Sequence, residues 1–318
     1  MMVDLAAAYT FAWRHAPKVP EPLLRAAFDV AADVTWLRRG AGVRRMEANY
    51  ARVRPDLDER AARRLTRDGM RRYLRYFREA FTLQGATPEQ LAARVRVEGL
   101  EHVTAITDAG GGLSLALAHL GNWDLAGAWA SPRIAPVLTV AERLKPPALF
   151  EQFVDFRRSI GIDVLPLGDD GVFKGLVRGA GDGPRLVPLL SDRDLTASGI
   201  EVDLCGHRAR VAAGPAALAV AARVPLIPVG IRHERLTGER RRRARTPWGI
   251  VITFHQPVDP PDGGNRRTQV AQLTQAWTDV LGEYIARHTA DWHMLQKVFV
   301  DDLDPQRYAR TRAAAGEA

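Results

Sequence analysis

A chain of 318 residues, 46% hydrophobic and 26% charged, has the length for one large buried core and is too apolar to be disordered or fibrous. Its net charge of +8 and pI near 10.1 favour polyanionic partners, such as an anionic membrane surface or a phosphorylated ligand. The single cysteine, Cys205, excludes an intramolecular disulfide and a cysteine-rich zinc site, and suits a reducing compartment.

Residues 1–90 read as helices. Between Pro22 and Arg39 the apolar residues Leu23, Leu24, Ala27, Phe28, Ala31, Val34 and Leu37 form a stripe at helical spacing. A second helix is expected from about residue 58 to residue 83, with Leu65, Met70, Tyr73, Leu74, Phe77 and Phe81 among its arginines and Gly85 and Pro88 closing it. Such stripes pack on a core or lie in a bilayer interface. Trp13, Phe28 and Trp36, beside Arg14, Arg25, Arg38 and Arg39, suit the interface. No run of about 18 uninterrupted apolar residues occurs, and the N-terminus has no basic region leading into an apolar stretch and a small-residue cleavage site. The expectation is a protein kept inside the cell that meets a membrane only peripherally.

From residue 94 onward strands and helices alternate. Apolar runs at 113–118, 136–140, 162–167, 186–190, 226–231 and 250–254 read as strands. Stretches 122–130, 147–160, 170–179 and 214–222 read as helices between them. The expected architecture is α/β, with a central mostly parallel sheet flanked by helices. Glu201 to Val211 reads as a hairpin turning at Gly206. The run Glu239-Arg240-Arg241-Arg242-Arg243-Ala244-Arg245 is either a solvated loop between strands or a patch for anionic lipid, worth ~1 kcal/mol per basic residue near the surface. A last long helix covers about 266–288. The N-terminal helices and the 91–304 core form one domain, and 305–318 is a flexible tail.

Several chemical motifs are missing: G-x-S-x-G, the G-x-x-x-x-G-K-[ST] phosphate loop, a strand-following G-x-G-x-x-G and H-E-x-x-H. What remains is His119-Leu120-Gly121-Asn122-Trp123-Asp124. His119 stands at a strand's C-terminal end, Gly121 permits a sharp turn, Asn122 suits an N-cap, and Asp124 falls in the first helical turn. Open α/β sheets place ligands at such strand ends. On a continuous helix i and i+5 diverge by about 140°. Across a strand–turn–helix break the chain folds back, so that Asp124 is expected to reach the His119 ring. A carboxylate there fixes the tautomer and leaves the other nitrogen as a general base. By chance alone, the same spacing also describes a capping Asp beside an unrelated His.

The motif resembles the H-x-x-x-x-D signature of glycerolipid-type acyltransferases, and its local form H-x-G-N-W-(D/E) resembles the lipid A late-acyltransferase branch. Further segments are similar to the phosphatidylinositol mannoside acyltransferases of actinobacteria. These are Thr139-Val140-Ala141-Glu142-Arg143-Leu144-Lys145-Pro146, Ser191-Asp192-Arg193-Asp194-Leu195-Thr196, Ala213-Gly214-Pro215-Ala216 and Ala290-Asp291-Trp292-His293-Met294-Leu295-Gln296. The resemblance runs in order along nearly the whole chain. It implies transfer of a long-chain acyl group, typically palmitoyl, from acyl-CoA to the 6-hydroxyl of a mannose on a phosphatidylinositol mannoside. It makes acyl-CoA the co-substrate and implies no metal and no further cofactor. The place of action would be the cytoplasmic face of the inner membrane.

By the same resemblance His119 is the base and Asp124 its partner. Arg157, in Phe156-Arg157-Arg158-Ser159-Ile160-Gly161, serves the acyl-CoA site with Glu142 as its partner. Ser198 and Gly199 line the donor side. Asp192, with Arg193 and Asp194, meets the acceptor sugar, although Asp192 stands where the family often has the longer glutamate. Asp192-Arg193-Asp194 also reads as the D-x-D of a metal-dependent glycosyltransferase, and a catalytically silent lipid-binding protein is a third reading. His293 reads as a packed core histidine, and His207, His233 and His255 have no carboxylate at motif spacing. No nucleic-acid-binding motif is present.

Overall fold

The computed structural model describes residues 5–143, 146–259 and 263–314. Leu144 and Lys145 of the second motif segment, and the end of the tail, lie outside the described residues. Four helices open the chain: α1 (Leu5–His15), α2 (Glu21–Arg38), α3 (Ala41–Val53) and α4 (Glu59–Leu83). Then follow α5 (Pro88–Arg94), β1 (Val95–Glu98), α6 (Glu101–Thr107), β2 (Leu113–Leu117), α7 (Trp123–Ala130) and β3 (Val137–Ala141). Next come α8 (Pro147–Ser159), β4 (Ile162–Pro166), α9 (Val172–Gly181), β5 (Leu186–Leu190), β6 (Gly199–Leu204) and β7 (His207–Ala212). The chain closes with α10 (Gly214–Ala222), β8 (Leu226–Arg235), α11 (Gly238–Ala244), β9 (Trp248–Phe254), α12 (Arg266–Arg287) and α13 (Pro305–Ala314).

The expected sheet is present. Seven strands lie in the order β1-β9-β8-β2-β5-β3-β4. β8, β2, β5, β3 and β4 are parallel, while β9 runs antiparallel to β8 and β1 parallel to β9. β2 is buried along its whole length, which is why Leu113–Leu117 reads as a nearly continuous apolar run, with only Ser114 polar and its hydroxyl donated to the Pro215 carbonyl. β2 pairs with β5 from Leu113↔Leu186 to Leu117↔Leu190, so the chain leaves both strands side by side at one edge of the sheet. β6 and β7 form the separate hairpin, turning at Cys205 and Gly206, both at positive φ as a two-residue turn of this hand requires.

α4 joins the helical region to the core. Asp58 caps its N-terminus by accepting from the Ala61 N–H, and Met70, Tyr76, Ala80, Phe81 and Leu83 are buried. The α2 stripe divides in two. Leu24 and Phe28 face inward with Phe81, while Leu23, Val30, Val34 and Leu37 are exposed. Trp13, expected at an interface, is edge-on to Phe81 and Phe153 instead. Trp36 is covered by Arg63 and Arg67, because the inward side of α2 offers a cluster of rings and guanidinium groups.

Several elements lie beyond the runs singled out in the sequence, α3, β1, α6 and α11 among them. α3 buries Val43, Met46, Tyr50 and Val53 at helical spacing. β1 is a short edge strand, and the arginine run is helix α11, not a loop. The tail forms α13 as far as Ala314, tied to the hairpin where the Tyr308 hydroxyl meets Glu201. No helix of the described residues is long and apolar enough to cross a membrane.

Candidate active site

His119 lies two residues beyond β2. The turn after it depends on Gly121, whose φ is +58° and where a Cβ would come within 2.8 Å of the Ile231 carbonyl oxygen. Asn122 then caps α7: its side-chain oxygen accepts from the Leu125 N–H at 2.9 Å. Its amide donates to buried Glu79 at 2.8 Å, and Glu79 is itself held by Arg94 at 2.9 Å. The motif's polar residues therefore fasten the turn to α4 from behind.

Asp192 is the partner of His119. It lies two residues beyond β5, so the β2–β5 register, continued past Leu117↔Leu190, sets it opposite His119. Asp192 Oδ1 is 2.6 Å from His119 Nδ1, and Oδ2 accepts from the His119 backbone N–H at 3.1 Å and from Trp292 Nε1 at 2.8 Å. Burial disfavours the charged ring, but the Asp192 carboxylate outweighs it and holds the His119 pKa above its ordinary value. Burial likewise works to raise the Asp192 pKa, and the His119 ring together with its own hydrogen bonds brings it below normal. With Nδ1 engaged, Nε2 is left for a substrate proton.

The expected contact between His119 and Asp124 is absent. Trp123 meets the His119 ring edge to face at 5.6 Å, while Asp124 is engaged elsewhere. Its Oδ1 accepts from Arg157 Nε at 2.9 Å and its Oδ2 from the Tyr76 hydroxyl at 2.8 Å. The first turn of α7 aims Asp124 toward α8 and α4 and away from the strand it follows. Arg157 consequently pairs with Asp124 and not with Glu142. Glu142 lines the same cavity, where its charge adds to the rise in the His119 pKa.

The remaining expected residues divide. Arg193 lines the cavity and its Nε donates to the Lys297 carbonyl at 3.0 Å. Ser198 also lines it, while its hydroxyl and that of Thr196 are tied to Asp194. Gly199 is buried in β6 and its carbonyl accepts from Arg210. Asp192 and Asp194 serve separate networks, so the triplet presents no paired carboxylates for a metal. Among the described residues no group of three or more His, Cys, Asp and Glu side chains is placed to hold one.

His119 opens on a cavity of about 1280 Å³, larger than the roughly 300–1,000 Å³ of ordinary small-ligand sites. Its lining combines the polar side chains of Glu142, Arg157, Arg193 and Ser198 with apolar ones, Leu115, Phe150, Phe153, Ile162 and Leu186 among them. A cavity of that size lined by both polar and apolar groups suits an amphiphile.

A second histidine–carboxylate pair lies behind the first. His233 Nδ1 is 2.8 Å from Asp291 Oδ1, and Arg72 holds the other carboxylate oxygen. No motif spacing links residues 58 positions apart, so nothing in the local pattern marks the pair. Burial would raise the Asp291 pKa, but the His233 hydrogen bond and the Arg72 charge pull it down to about 2. Burial lowers the His233 pKa in spite of Asp291. His293 is buried, as read from the sequence, yet it also lines the cavity.

The chain matches the profile of the bacterial lipid A biosynthesis acyltransferase family over residues 3–300. It is 37% identical over 306 residues to the phosphatidylinositol mannoside acyltransferase of Mycolicibacterium smegmatis, covering 95% of this chain and 93% of that one. It is also 37% identical over 310 residues to the protein of the same name from Mycobacterium tuberculosis, covering 96% and 92%. A solved 1-acyl-sn-glycerophosphate acyltransferase from Thermotoga maritima aligns with 82% of this chain and 95% of its own, at 15% identity and a TM-score of 0.36.

Proposed function

The chain belongs to the bacterial lipid A biosynthesis acyltransferase family, and from this premise we propose that it transfers a palmitoyl-length acyl group from acyl-CoA to the 6-hydroxyl of a mannose on a phosphatidylinositol mannoside. The observation that carries this reading is the His119–Asp192 pair on the lining of a large, mostly apolar cavity. The acyl chain occupies the apolar interior, which sets its thioester beside His119. His119 Nε2 removes the proton of the attacking sugar hydroxyl, and Asp192 stabilises the imidazolium that results. The CoA thiolate leaves with that proton. Among the described residues the His119 ring is hydrogen-bonded to Asp192 and to no serine or cysteine, which favours direct transfer without an acyl-enzyme. Arg157, fixed by Asp124, supplies positive charge on the donor side with Ser198 nearby, and Glu142, Arg193 and Asp194 border the acceptor's approach.

Acceptor and product are membrane lipids in this reading, and α2 suits a bilayer. Leu23, Val30, Val34 and Leu37 are spaced seven, four and three residues apart, which a 3.6-residue turn puts on one face, and all four are exposed. Arg38 and Arg39 at its C-terminal end suit the anionic head groups of an inner membrane's cytoplasmic face. Val30→Asp is expected to reduce cosedimentation with anionic vesicles; unchanged binding would remove α2 from the interface.

The direct test follows free thiol from palmitoyl-CoA with and without mannosylated phosphatidylinositol. Acceptor-dependent release that His119→Ala abolishes, with the fold intact by circular dichroism, is expected. A folded His119→Ala protein with normal turnover ends the proposal.

A further inference from the structure

The reaction proposed above needs a donor for the oxyanion that forms when the hydroxyl oxygen bonds to the thioester carbon and the carbonyl electron pair moves to oxygen. Two nearby N–H donors are already engaged. The Gly121 N–H donates to the Asp291 carbonyl at 3.0 Å, and Arg193 Nε donates to the Lys297 carbonyl at 3.0 Å. His293 differs. It lines the cavity and is only 6% exposed, yet neither ring nitrogen has a hydrogen-bond partner among the described residues. Burying an imidazole that way costs stability, on the order of 1–3 kcal/mol for an unpaired polar group. A buried unsatisfied polar group on the lining of a cavity is explained when a ligand completes it.

Its position is fixed relative to the base. The His293 backbone N–H donates to the His119 carbonyl at 2.7 Å, and Leu120 bridges Trp292. Both imidazoles pack on the same indole: Trp123 lies 5.6 Å from His119 and 6.1 Å from His293, ring centre to ring centre. Tyr73, Tyr76 and His233 surround the rest of the His293 ring. Burial, then the neighbouring His233, hold its pKa well below normal, with His119 and Arg72 adding to the effect against Asp291. The ring is therefore neutral, with one N–H to give. A neutral imidazole is a competent electrophile toward a developing oxyanion.

We propose that His293 is a second catalytic residue, donating a ring N–H to the thioester carbonyl oxygen while His119 deprotonates the acceptor hydroxyl. The tetrahedral intermediate then collapses with cleavage of the carbon–sulfur bond. The thiolate takes the proton held on His119, and the proton on His293 never leaves its ring. The inference rests on acyl-CoA being the donor.

His293→Phe tests it, because phenylalanine keeps an aromatic ring among Tyr73, Tyr76, Trp123 and His233 and removes both nitrogens. Its Tm should equal or exceed that of the unmodified protein, since two unpaired buried polar atoms are gone. Both acceptor-dependent transfer and the slow hydrolysis of palmitoyl-CoA by water pass through the same oxyanion. Both kcat values should fall by about 10²–10³-fold, as when one oxyanion donor is lost, with KM for palmitoyl-CoA nearly unchanged. His293→Gln, which restores an amide N–H, should recover part of both rates. If His293→Phe hydrolyses palmitoyl-CoA at the unmodified rate, or raises only the KM of the acceptor, the assignment is overturned while the acyl-CoA reading stands. If the unmodified protein releases no thiol at all, the acyl-CoA reading falls and this inference falls with it.

Discussion

His119–Asp192 and His233–Asp291 are built alike and behave in opposite ways. In each, Nδ1 meets a carboxylate oxygen, at 2.6 and 2.8 Å, and the same carboxylate accepts the histidine's backbone N–H at 3.1 Å. The His119 side chain is 38% exposed to a cavity; that of His233 is 0% exposed. The carboxylate of the first pair also accepts from a neutral indole, whereas that of the second is shared with the Arg72 cation. Asp192 therefore spends its charge on raising the His119 pKa, while Asp291 is already neutralised and burial leaves His233 below normal. A histidine–carboxylate contact does not make a general base. Access and an unshared carboxylate do.

Neutralising the first pair should have the largest effect. Asp192→Asn is expected to lower kcat by about 10²–10⁴-fold. Because Asp192 raises the His119 pKa, its loss should also move the acid limb of kcat/KM to lower pH, read from a pH–rate profile of thiol release. An unmoved limb would mean that the base titrates independently of Asp192. Asp124→Asn sharpens the same point. It removes one charge-assisted contact to Arg157, so kcat/KM should drop about 10–100-fold, corresponding to ~1.5–3 kcal/mol, with the acid limb in place. A shift of that limb would restore Asp124 as the partner of His119.

The second pair should matter for stability alone. Asp291→Asn is expected to cost about 1–3 kcal/mol of unfolding free energy and to leave kcat within about threefold. A large loss of rate with an unchanged Tm would give His233–Asp291 a part in the chemistry. Its pH dependence has a definite sign. The folded Asp291 pKa lies at about 2, below the ordinary 3.8, so its contribution is complete above about 4 and is lost as pH falls toward 2. Thermal melts across that window should show the Tm falling less steeply in Asp291→Asn than in the unmodified protein.

Much of the fold is legible from local pattern. The buried run at β2, the hairpin turning at Gly206 and the strand–Gly121–Asn122–helix passage each follow from short-range preferences, and the structure has all three. α3 was equally legible, since Val43, Met46, Tyr50 and Val53 recur at helical spacing among arginines that mask them. The two-sided use of α2 was not. Periodicity reports that a stripe is apolar, and only the helix packed beside it decides whether Leu24 or Leu23 faces inward.

The active site divides along the same line. The sequence by itself determined the order of strands and helices, the place of His119 at a strand end and the acyltransferase family, because all are written in neighbouring residues. Only the tertiary structure decided which carboxylate serves His119. Asp124 is five residues away along the chain but belongs to a helix that points it at Arg157. Asp192 is 73 residues away and directly opposite, because β2 and β5 are adjacent, parallel and in register. Strand adjacency and register arise from burying apolar faces across the whole core, and no local spacing records them.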